Sequence, residues 1–384
     1  MVVYKPPMGW NSWNTFGENI NEEVVMKSAD ILVESRLAAC GYNYIVIDDC
    51  WCLRERGADG RLVPDPAKFP NGMKYVSDYV HSKGLKFGMY TCAGMHTCAG
   101  YPGSFDHEFI DAATFAEWGV DFLKYDYCFH PSTVPGDILY KRMSAALANC
   151  GRDILFSACS WGIDETRKWV KQTGAAMWRT TYDIFDSWKS IKELSMQAEE
   201  ALSYGSINCF PDMDMLVVGM SGRGNVGLAG CTTEEYRTHF SLWALLGSPL
   251  MIGCDIREMT EETKAILMNK DVIAINQDGA YNQAYNASTK ALQKQTTEQP
   301  VYVRLLENGD YAIGFFNFAD HNCGGWDCHL LLDGIGLPES TGKTLKLCEL
   351  WTGEEKIVTN GIIKENIPAH GCRLYRAQVI DKKY

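Results

Sequence analysis

Two patterns of apolar residues alternate along the chain from its start to about residue 270. Short continuous apolar runs are typical of buried strands, and apolar residues recurring every three or four positions are typical of helices packed on a sheet. The short runs predict strands at 7–10, 44–48, 85–91, 120–126, 153–160, 177–183, 207–212 and 249–255. The longer patterns predict helices at 21–39, 71–84, 106–119, 137–149, 164–173, 187–204 and 232–247.

The regular alternation of strands and helices indicates parallel strands, because a crossover helix returns the chain to the end of the sheet where the previous strand began. Eight such strands predict a (β/α)8 barrel, since a doubly wound sheet normally has fewer. Several predicted helices stop at a glycine just before the next strand, as at Gly41, Gly84 and Gly119. Glycine at that position can adopt the left-handed conformation that ends many helices.

The pattern changes beyond about residue 280, where short alternating runs are separated by turn residues and no helix is indicated. These runs are 300–306, 310–318, 329–332, 344–351 and 361–377. They predict an antiparallel β-sandwich. We therefore expect a catalytic barrel domain at 1–278 and a sandwich domain at 279–384, with the polar segment 277–300 around their junction.

Composition excludes some classes of partner. Of the 384 residues, 46% are hydrophobic and 22% charged, which is usual for a water-soluble globular protein. The formal net charge of −12 argues against a nucleic-acid partner, which would require a basic surface. The chain starts without the features of a secretory signal, and its longest apolar run, 240–254, is too short to span a bilayer. No membrane partner is therefore expected. Because the 15 cysteines follow no framework spacing, we expect a cytoplasmic protein, and a secreted mature chain is the alternative. Its oligomeric state stays open.

Acidic residues cluster where the predicted barrel strands end. In a (β/α)8 barrel these ends meet on one face, which holds the active site. A single acid at a strand end is usually a turn former or a helix cap, but acids at four or five strand ends indicate a shared function. The charged residues at these ends are Asp48, Asp49, Lys124, Asp126, Arg179, Asp183, Asp212, Asp214 and Asp255.

Metal and nucleotide chemistry fit this pattern poorly. Histidine is absent from the strand ends, since His81 lies in a predicted helix and His96, His107 and His130 lie in predicted loops. No GxGxxG motif follows a strand, which argues against a dinucleotide site. The glycine-rich stretch 219–230 offers a weaker alternative, a phosphate site, but it holds only one cation. We therefore predict an enzyme without a metal ion or cofactor.

A carboxylate pair acting on a glycosidic bond fits better. Retaining hydrolysis needs one ionised carboxylate as nucleophile and one protonated carboxyl group as general acid. Lys124 lies two positions before Asp126 and would project beside it, so it is expected to keep the Asp126 pKa low. Asp183 suits the acid because it lies among aromatic residues that would desolvate it. Those residues are Trp178, Tyr182, Phe185 and Trp188.

Seven motifs together resemble glycoside hydrolase family 27, the family of α-galactosidases and α-N-acetylgalactosaminidases. The motifs occur in the family's order across the whole barrel. They are MGWNSW at 8–13, YIVIDDCW at 44–51, TCAGYPGS at 97–104, VDFLKYDYC at 120–128, CSWG at 159–162, WRTTYDIFDSW at 178–188 and PDMDML at 211–216. The resemblance implies a (β/α)8 barrel followed by an antiparallel β-sandwich, and an exo-acting enzyme that hydrolyses α-galactosides with retention.

The resemblance also implies roles for individual residues. Asp126 would be the nucleophile and Asp183 the general acid and base. Around the sugar, Asp48 and Asp49 would bind O6 and O4, Lys124 would bind O3 and O4, Arg179 would bind O2, Asp214 would line the pocket, and Trp13 and Tyr90 would form an apolar wall. Cys98 and Cys128 would form a disulfide beside the pocket, and Cys50 and Cys159 would be free thiols.

Specificity is left with alternatives. Because Asp48 and Asp49 are both present, a sugar with a 6-hydroxyl group is favoured over a β-L-arabinopyranoside. Ser160 leaves room near C2 of the sugar, whereas Ile163 would crowd an acetamido group, so galactose is favoured over N-acetylgalactosamine. Two other classes remain open: a barrel lyase that uses Lys124 to form a Schiff base, and a barrel that binds galactose without catalysis.

Overall fold

The structure is a computed structural model that describes residues 2–288 and 298–382. Two compact units are present. The first comprises Met1–Gly230 and Pro249–Thr263, and the second comprises Cys231–Ser248 and Lys264–Tyr384. Residues 289–297, which belong to the polar segment predicted at the domain junction, lie outside the described residues.

The first unit contains the predicted barrel. Eight parallel strands form one sheet in the order β10-β1-β2-β3-β4-β5-β6-β8. The two edges of the sheet meet where Leu216 N donates to Met251 O at 2.7 Å and Gly253 N donates to Leu216 O at 2.9 Å. The strands are β1 Met8–Asn11, β2 Tyr44–Val46, β3 Lys86–Cys92, β4 Phe122–Asp126, β5 Leu155–Cys159, β6 Met177–Arg179, β8 Phe210–Asp212 and β10 Leu250–Ile252, with a small pair β7 Asp186–Ser187 and β9 Gly227–Gly230 outside the barrel sheet.

The helices of this unit follow the predicted positions. Local signals fix their ends: Asn21 caps α2 by accepting from Val24 N at 2.9 Å, and Gly119 ends α4 with a φ of +82°. The predicted helix 164–173 is only one α-helical turn, followed by a 3-10 turn at Val170–Thr173. The helices are α1 Trp13–Phe16, α2 Glu22–Glu34, α3 Gly72–Ser82, α4 Glu108–Trp118, α5 Gly136–Ala148, α6 Thr166–Trp169 and α7 Trp188–Leu202.

Several strands end earlier than their apolar patterns predict. Strand β6 ends at Arg179, so Asp183 lies in the loop beyond it and not within a strand as expected. Strand β2 ends at Val46 and β10 ends at Ile252, so the acids after them also lie in loops. The backbone that carries these acids is therefore set by loop contacts and not by the period of the sheet.

The second unit is largely antiparallel and confirms the predicted sandwich. It contains α8 Thr233–Leu246 and α10 Lys270–Asn276, while α9 Glu261–Leu267 includes the junction between the units. One sheet has the order β11-β12-β13-β18-β15-β16, and β14 pairs with β17. The strands are β11 Tyr285–Asn286, β12 Val301–Leu305, β13 Tyr311–Phe316, β14 Cys323–Leu331, β15 Lys343–Glu349, β16 Glu355–Ile357, β17 Ile362–Ile367 and β18 Cys372–Asp381.

The core of the sandwich follows the alternation of its strands. Val301 and Val303 of β12 are buried with Ile313 and Phe315 of β13 in one apolar cluster, because residues two apart in a strand point to the same face. In the part of the chain that the structure describes, no helix has both the length and the apolar character needed to cross a membrane.

Candidate active site

A cleft of about 400 Å³ lies at the carboxyl ends of the barrel strands. Most of its lining is polar or aromatic. Its walls include ten of the residues singled out in the sequence: Trp13, Asp48, Asp49, Tyr90, Cys98, Lys124, Asp126, Arg179, Asp183 and Asp214. Asn14, Ile184, Met215 and Val226 complete the lining.

Asp126 lies at the end of β4 and is 5% exposed. Its carboxylate accepts hydrogen bonds from Tyr90 Oη at 3.1 Å and from Tyr127 N at 2.8 Å. Burial raises the pKa of Asp126 to about 6, although the charge of Lys124 acts in the opposite direction. The expectation that Lys124 keeps this pKa low is wrong, because the cost of desolvating the carboxylate is larger than the attraction of the ammonium group.

Lys124 forms its ion pair with another acid. Its Nζ lies 2.9 Å from Oδ2 of Asp48, which also accepts from Asn11 Nδ2 at 2.8 Å. Burial alone would lower the pKa of Lys124, but the negative charge of Asp48, with that of Asp126, raises it overall. The ammonium group therefore stays charged inside the cleft.

Arg179 lies between two further acids. Its Nη2 lies 2.8 Å from Oδ1 of Asp183, and its Nη1 lies 3.0 Å from Oδ1 of Asp214. Arg179 is buried, whereas the Asp183 side chain is 58% exposed. Desolvation would raise the pKa of Asp183, but the charge of Arg179, with that of Lys124, lowers it below its ordinary value.

The environment predicted for Asp183 is wrong. Desolvation by surrounding aromatic residues was expected, but Trp178 is fully buried in the core, and Tyr182 and Phe185 are themselves exposed. Asp183 therefore lies at the open side of the cleft and Asp126 at its buried side. The negative charge of Asp183 contributes to raising the pKa of Asp126, so the protonation of one acid affects that of the other.

The loop that carries Asp183 is held on both sides. Ile184 N donates to Asp214 Oδ2 at 2.7 Å, and Asp186 N donates to Val226 O at 3.0 Å. Asp186 in turn accepts from Gly222 N at 2.7 Å. The proposed acid is thus positioned by the buried residues that follow it in the chain.

The glycine-rich segment 219–230 supports that loop. Several of its amides are already engaged: Asn225 N donates to Thr15 O and Val226 N donates to Asn14 O, both at 3.1 Å. Gly224 has a φ of +85°, and a Cβ there would lie 2.9 Å from Asn14 O. These contacts explain the glycine in structural terms and argue against the phosphate alternative, which requires free amides.

The cysteines agree with the resemblance. Cys98 and Cys128 form a disulfide, and Cys98 Sγ lies 3.9 Å from Oδ2 of Asp126. Cys50 and Cys159 are free thiols, as predicted. Cys98, Asp126 and Cys128 bring three potential metal ligands within 4.8 Å of one another, but a disulfide offers no thiolate, so they do not form a metal site.

Ser160 and Ile163 do not reach the cleft. The Ser160 hydroxyl is fully buried and lies 2.5 Å from Oγ1 of Thr166, while Ile163 is half-buried. Among the described residues that line the cleft, neither these two nor Cys128 is present. Their contact with a substrate stays a prediction.

Two other strand-end acids have different positions. Asp212 lines a second, smaller cavity of about 360 Å³ inside the barrel, and burial raises its pKa to about 6. Asp255 forms an ion pair with Arg257 at 2.7 Å and lines neither cavity in the part of the chain described. Asp255 thus has the structural role that is usual for an isolated acid after a strand.

The residues that sequence reasoning missed fall into two groups. Asn14 and Met215 belong to motifs already quoted, MGWNSW with the residue that follows it and PDMDML, so their proximity to Trp13 and Asp214 could have identified them. Ile184 and Val226 are apolar residues that no catalytic motif would single out. They line the cleft because the hydrogen bonds of the Asp183 loop place them there.

Comparisons with known proteins agree with this geometry. Residues 5–278 match the family model for α-galactosidase A, and residues 296–377 match the model for the α-galactosidase C-terminal β-sandwich domain. The α-galactosidase of Cyamopsis tetragonoloba is 41% identical over 374 residues, which are 96% of this chain and 85% of that protein.

Solved structures show the same similarity. α-Galactosidase I from Mortierella vinacea superposes with a TM-score of 0.89 at 33% identity, covering 98% of this chain and 97% of that one. The α-galactosidase of Saccharomyces cerevisiae, solved with raffinose, superposes with a TM-score of 0.86 at 29% identity and 98% coverage of both chains.

Proposed function

This chain belongs to the α-galactosidase family of glycoside hydrolases, family 27, and we propose that Asp126 and Asp183 carry out its reaction. The protein is a glycosidase that hydrolyses α-galactosides. The observation that supports the residue assignment is that both carboxylates line one cleft, one buried and one at the open side. A retaining reaction requires two carboxyl groups that reach the same glycosidic bond, which two acids in one cleft can do.

In the first step, the Asp126 carboxylate attacks the anomeric carbon of galactose. As the bond to the leaving group breaks, Asp183 gives its proton to the glycosidic oxygen, and a galactosyl ester of Asp126 forms. In the second step, Asp183 takes a proton from a water molecule, and that water displaces Asp126. Two displacements at the same carbon restore the original anomeric configuration.

The remaining lining is suited to hold the sugar. Asp49 accepts from Cys50 N at 2.7 Å and from Ala99 N at 3.1 Å, and these backbone bonds fix its carboxylate in the cleft. Asp48 is fixed by Lys124 and Asn11. Oriented carboxylates and an ammonium group can accept from and donate to sugar hydroxyls. We infer that Asp48, Asp49 and Lys124 bind O3, O4 and O6.

We expect the pH dependence to follow the pair of acids. Catalysis requires Asp126 ionised and Asp183 protonated, so the pair must hold one proton. Asp126, with a pKa of about 6, and Asp183, with a lowered pKa, together lose that proton as the pH rises through about 6. At low pH the pair takes up a second proton, so that Asp126 and Asp183 are both neutral and Asp126 cannot act as the nucleophile. A plot of kcat/KM against pH should be bell-shaped with its basic limb near 6, and a plateau extending past about pH 8 would contradict this.

Substrate binding is expected to favour the productive proton position. In the free protein Arg179 holds the ionised form of Asp183. A sugar hydroxyl that accepts from Arg179 would weaken this pair, and the glycosidic oxygen would exclude water from Asp183. Both changes raise the Asp183 pKa, which moves the shared proton to the acid that must donate it.

Rates on three p-nitrophenyl glycosides test the proposed function. We expect kcat/KM to be highest for the α-galactoside and about tenfold lower for the α-N-acetylgalactosaminide, since an acetamido group is larger than the hydroxyl group that galactose carries at C2. The β-L-arabinopyranoside lacks the hydroxymethyl group. One carboxylate of Asp48 and Asp49 would then lose its hydrogen bond from the 6-hydroxyl of the sugar, so this substrate should also be slow. A preference for either alternative sugar would overturn the assignment of galactose.

The two other classes are less well supported. Lys124 is charged and paired with Asp48, whereas a lysine that forms a Schiff base needs a lowered pKa. A non-catalytic galactose-binding barrel would have no use for both acids. It would bind galactose in a calorimeter yet release none from any α-galactoside.

Our proposals for the natural leaving group and the compartment do not rest on the geometry of the cleft. Oligosaccharides of the raffinose type are suitable substrates because a relative was solved with raffinose.

The cytoplasmic location stays a prediction: the thirteen free cysteines favour a reducing compartment, and the Cys98–Cys128 disulfide favours an oxidising one.

A further inference from the structure

Two exposed aromatic side chains flank the proposed acid. Tyr182 is 58% exposed and Phe185 is 44% exposed, whereas Ile184 and Asp186 in the same loop are fully buried. Single exposed apolar residues are common on protein surfaces and need no explanation. Two large rings on either side of a catalytic carboxyl group are different, because burying them in the core would have been the favourable choice for packing alone.

The backbone beneath these rings is fixed. Between them, Ile184 N donates to buried Asp214, and Phe185 N itself donates to Ser190 Oγ at 2.9 Å. Tyr182 N lies 3.4 Å from Gln197 Oε1. The loop therefore presents both rings to solvent from anchored positions, and little order has to be gained when a ligand packs against them.

The position of the leaving group follows from the reaction. Asp183 must reach the glycosidic oxygen within hydrogen-bond distance to protonate it. Consecutive Cα atoms are about 3.8 Å apart, so Tyr182 and Phe185 begin within roughly 8 Å of the Cα atom of Asp183. Tyr182 and Phe185 do not line the cleft itself among the described residues, so they can meet only a group that projects out of it. We expect the first unit of the leaving group, bonded to that oxygen, to project out of the cleft within reach of these rings. A pyranose ring has an apolar C–H face that packs well on an aromatic ring.

We propose that Tyr182 and Phe185 form a platform for the sugar unit adjoining the terminal galactose, so that the protein favours oligosaccharides over galactosides with small leaving groups. This inference rests on the proposed function, since it takes Asp183 as the acid. The platform adds binding energy on the leaving-group side of the cleft and takes no part in proton transfer.

The test uses the double variant Tyr182→Ala/Phe185→Ala and two substrates that both need the acid. Raffinose carries a sugar at the leaving-group position, whereas methyl α-galactoside carries only a methyl group. We expect kcat/KM to fall about tenfold for raffinose, the effect usual for removing a well-placed aromatic contact, and less than about twofold for methyl α-galactoside. The matched control is Tyr75→Ala/Phe109→Ala, which removes rings 47% and 58% exposed on α3 and α4 and should alter neither rate.

The outcomes separate the hypotheses. A fall of the same size on both substrates would show that the loop or the acid is disturbed, and an unchanged rate on raffinose would show that the rings bind nothing; either result overturns the platform. Tyr182→Leu and Phe185→Leu, which keep an apolar side chain but remove the ring, should reproduce part of the selective loss. If the unmodified protein hydrolyses no α-galactoside, the proposed function itself fails.

Discussion

Asp126→Ala should lower kcat/KM for p-nitrophenyl α-galactoside by ~10⁴-fold or more, because without the carboxylate no galactosyl ester can form. The substitution removes a buried carboxylate whose charged form is costly to bury, so the fold should tolerate it. Asp126→Asn keeps a group that can accept from Tyr127 N and should be equally inactive. Thermal unfolding of each variant checks that the loss of rate is chemical.

Azide provides a positive result for the same variant. It can enter the space left by the Asp126 side chain and attack the anomeric carbon from the nucleophile's face. With an activated leaving group, we expect azide to restore turnover and to yield β-galactosyl azide. Asp255→Asn is the control, because it removes another acid that follows a barrel strand but lies outside the cleft. Retention of more than a few per cent of activity by Asp126→Ala would reject the assignment.

The second large effect concerns Asp183. Asp183→Ala should lower kcat/KM by about 10²–10⁴-fold for methyl α-galactoside, whose leaving group must be protonated. α-Galactosyl fluoride needs no proton to depart, so its first step should be nearly unaffected. Added azide should accelerate the second step and yield α-galactosyl azide. The side chain is exposed, and Arg179 would keep its contact with Asp214 in this variant.

The dependence on leaving group distinguishes an acid from a structural residue. A variant that merely disturbs the loop would slow both substrates by the same factor. An equal loss on methyl α-galactoside and on α-galactosyl fluoride would therefore contradict the role of Asp183. Asp255→Asn serves again as the control and should change neither rate.

The fold could be predicted because its signals are local. The apolar period predicts each barrel strand and almost every helix that surrounds the barrel, and glycines such as Gly119 mark where helices end. The ends of the strands are harder to predict. After β2, β6 and β10 the sequence still resembles a strand as far as the next acid, but these residues do not join the sheet. The short helices α9 and α10 were missed because the strongest patterns on either side belong to other elements.

The composition of the site could be predicted, but its electrostatics could not. The spacing of Lys124 and Asp126 suggests a pair, whereas the structure pairs Lys124 with Asp48, which lies in the loop after β2. The pKa of Asp126 depends on its depth in the barrel, which no local spacing gives. Arg179 likewise joins Asp183 and Asp214 through loops that meet only in the folded chain. These ion pairs and this pKa are decided by contacts between residues that are distant in the sequence.

One measurement addresses the central claim directly. Asp183→Ala, mixed with p-nitrophenyl α-galactoside, should form the galactosyl intermediate quickly and hydrolyse it slowly, since the base for the second step is absent. Peptide mass spectrometry of the quenched protein should then find one galactosyl group on the peptide that contains Asp126, with fragmentation placing it on that residue. A galactosyl group on any other side chain, or no covalent adduct during steady turnover to inverted product, would contradict the account.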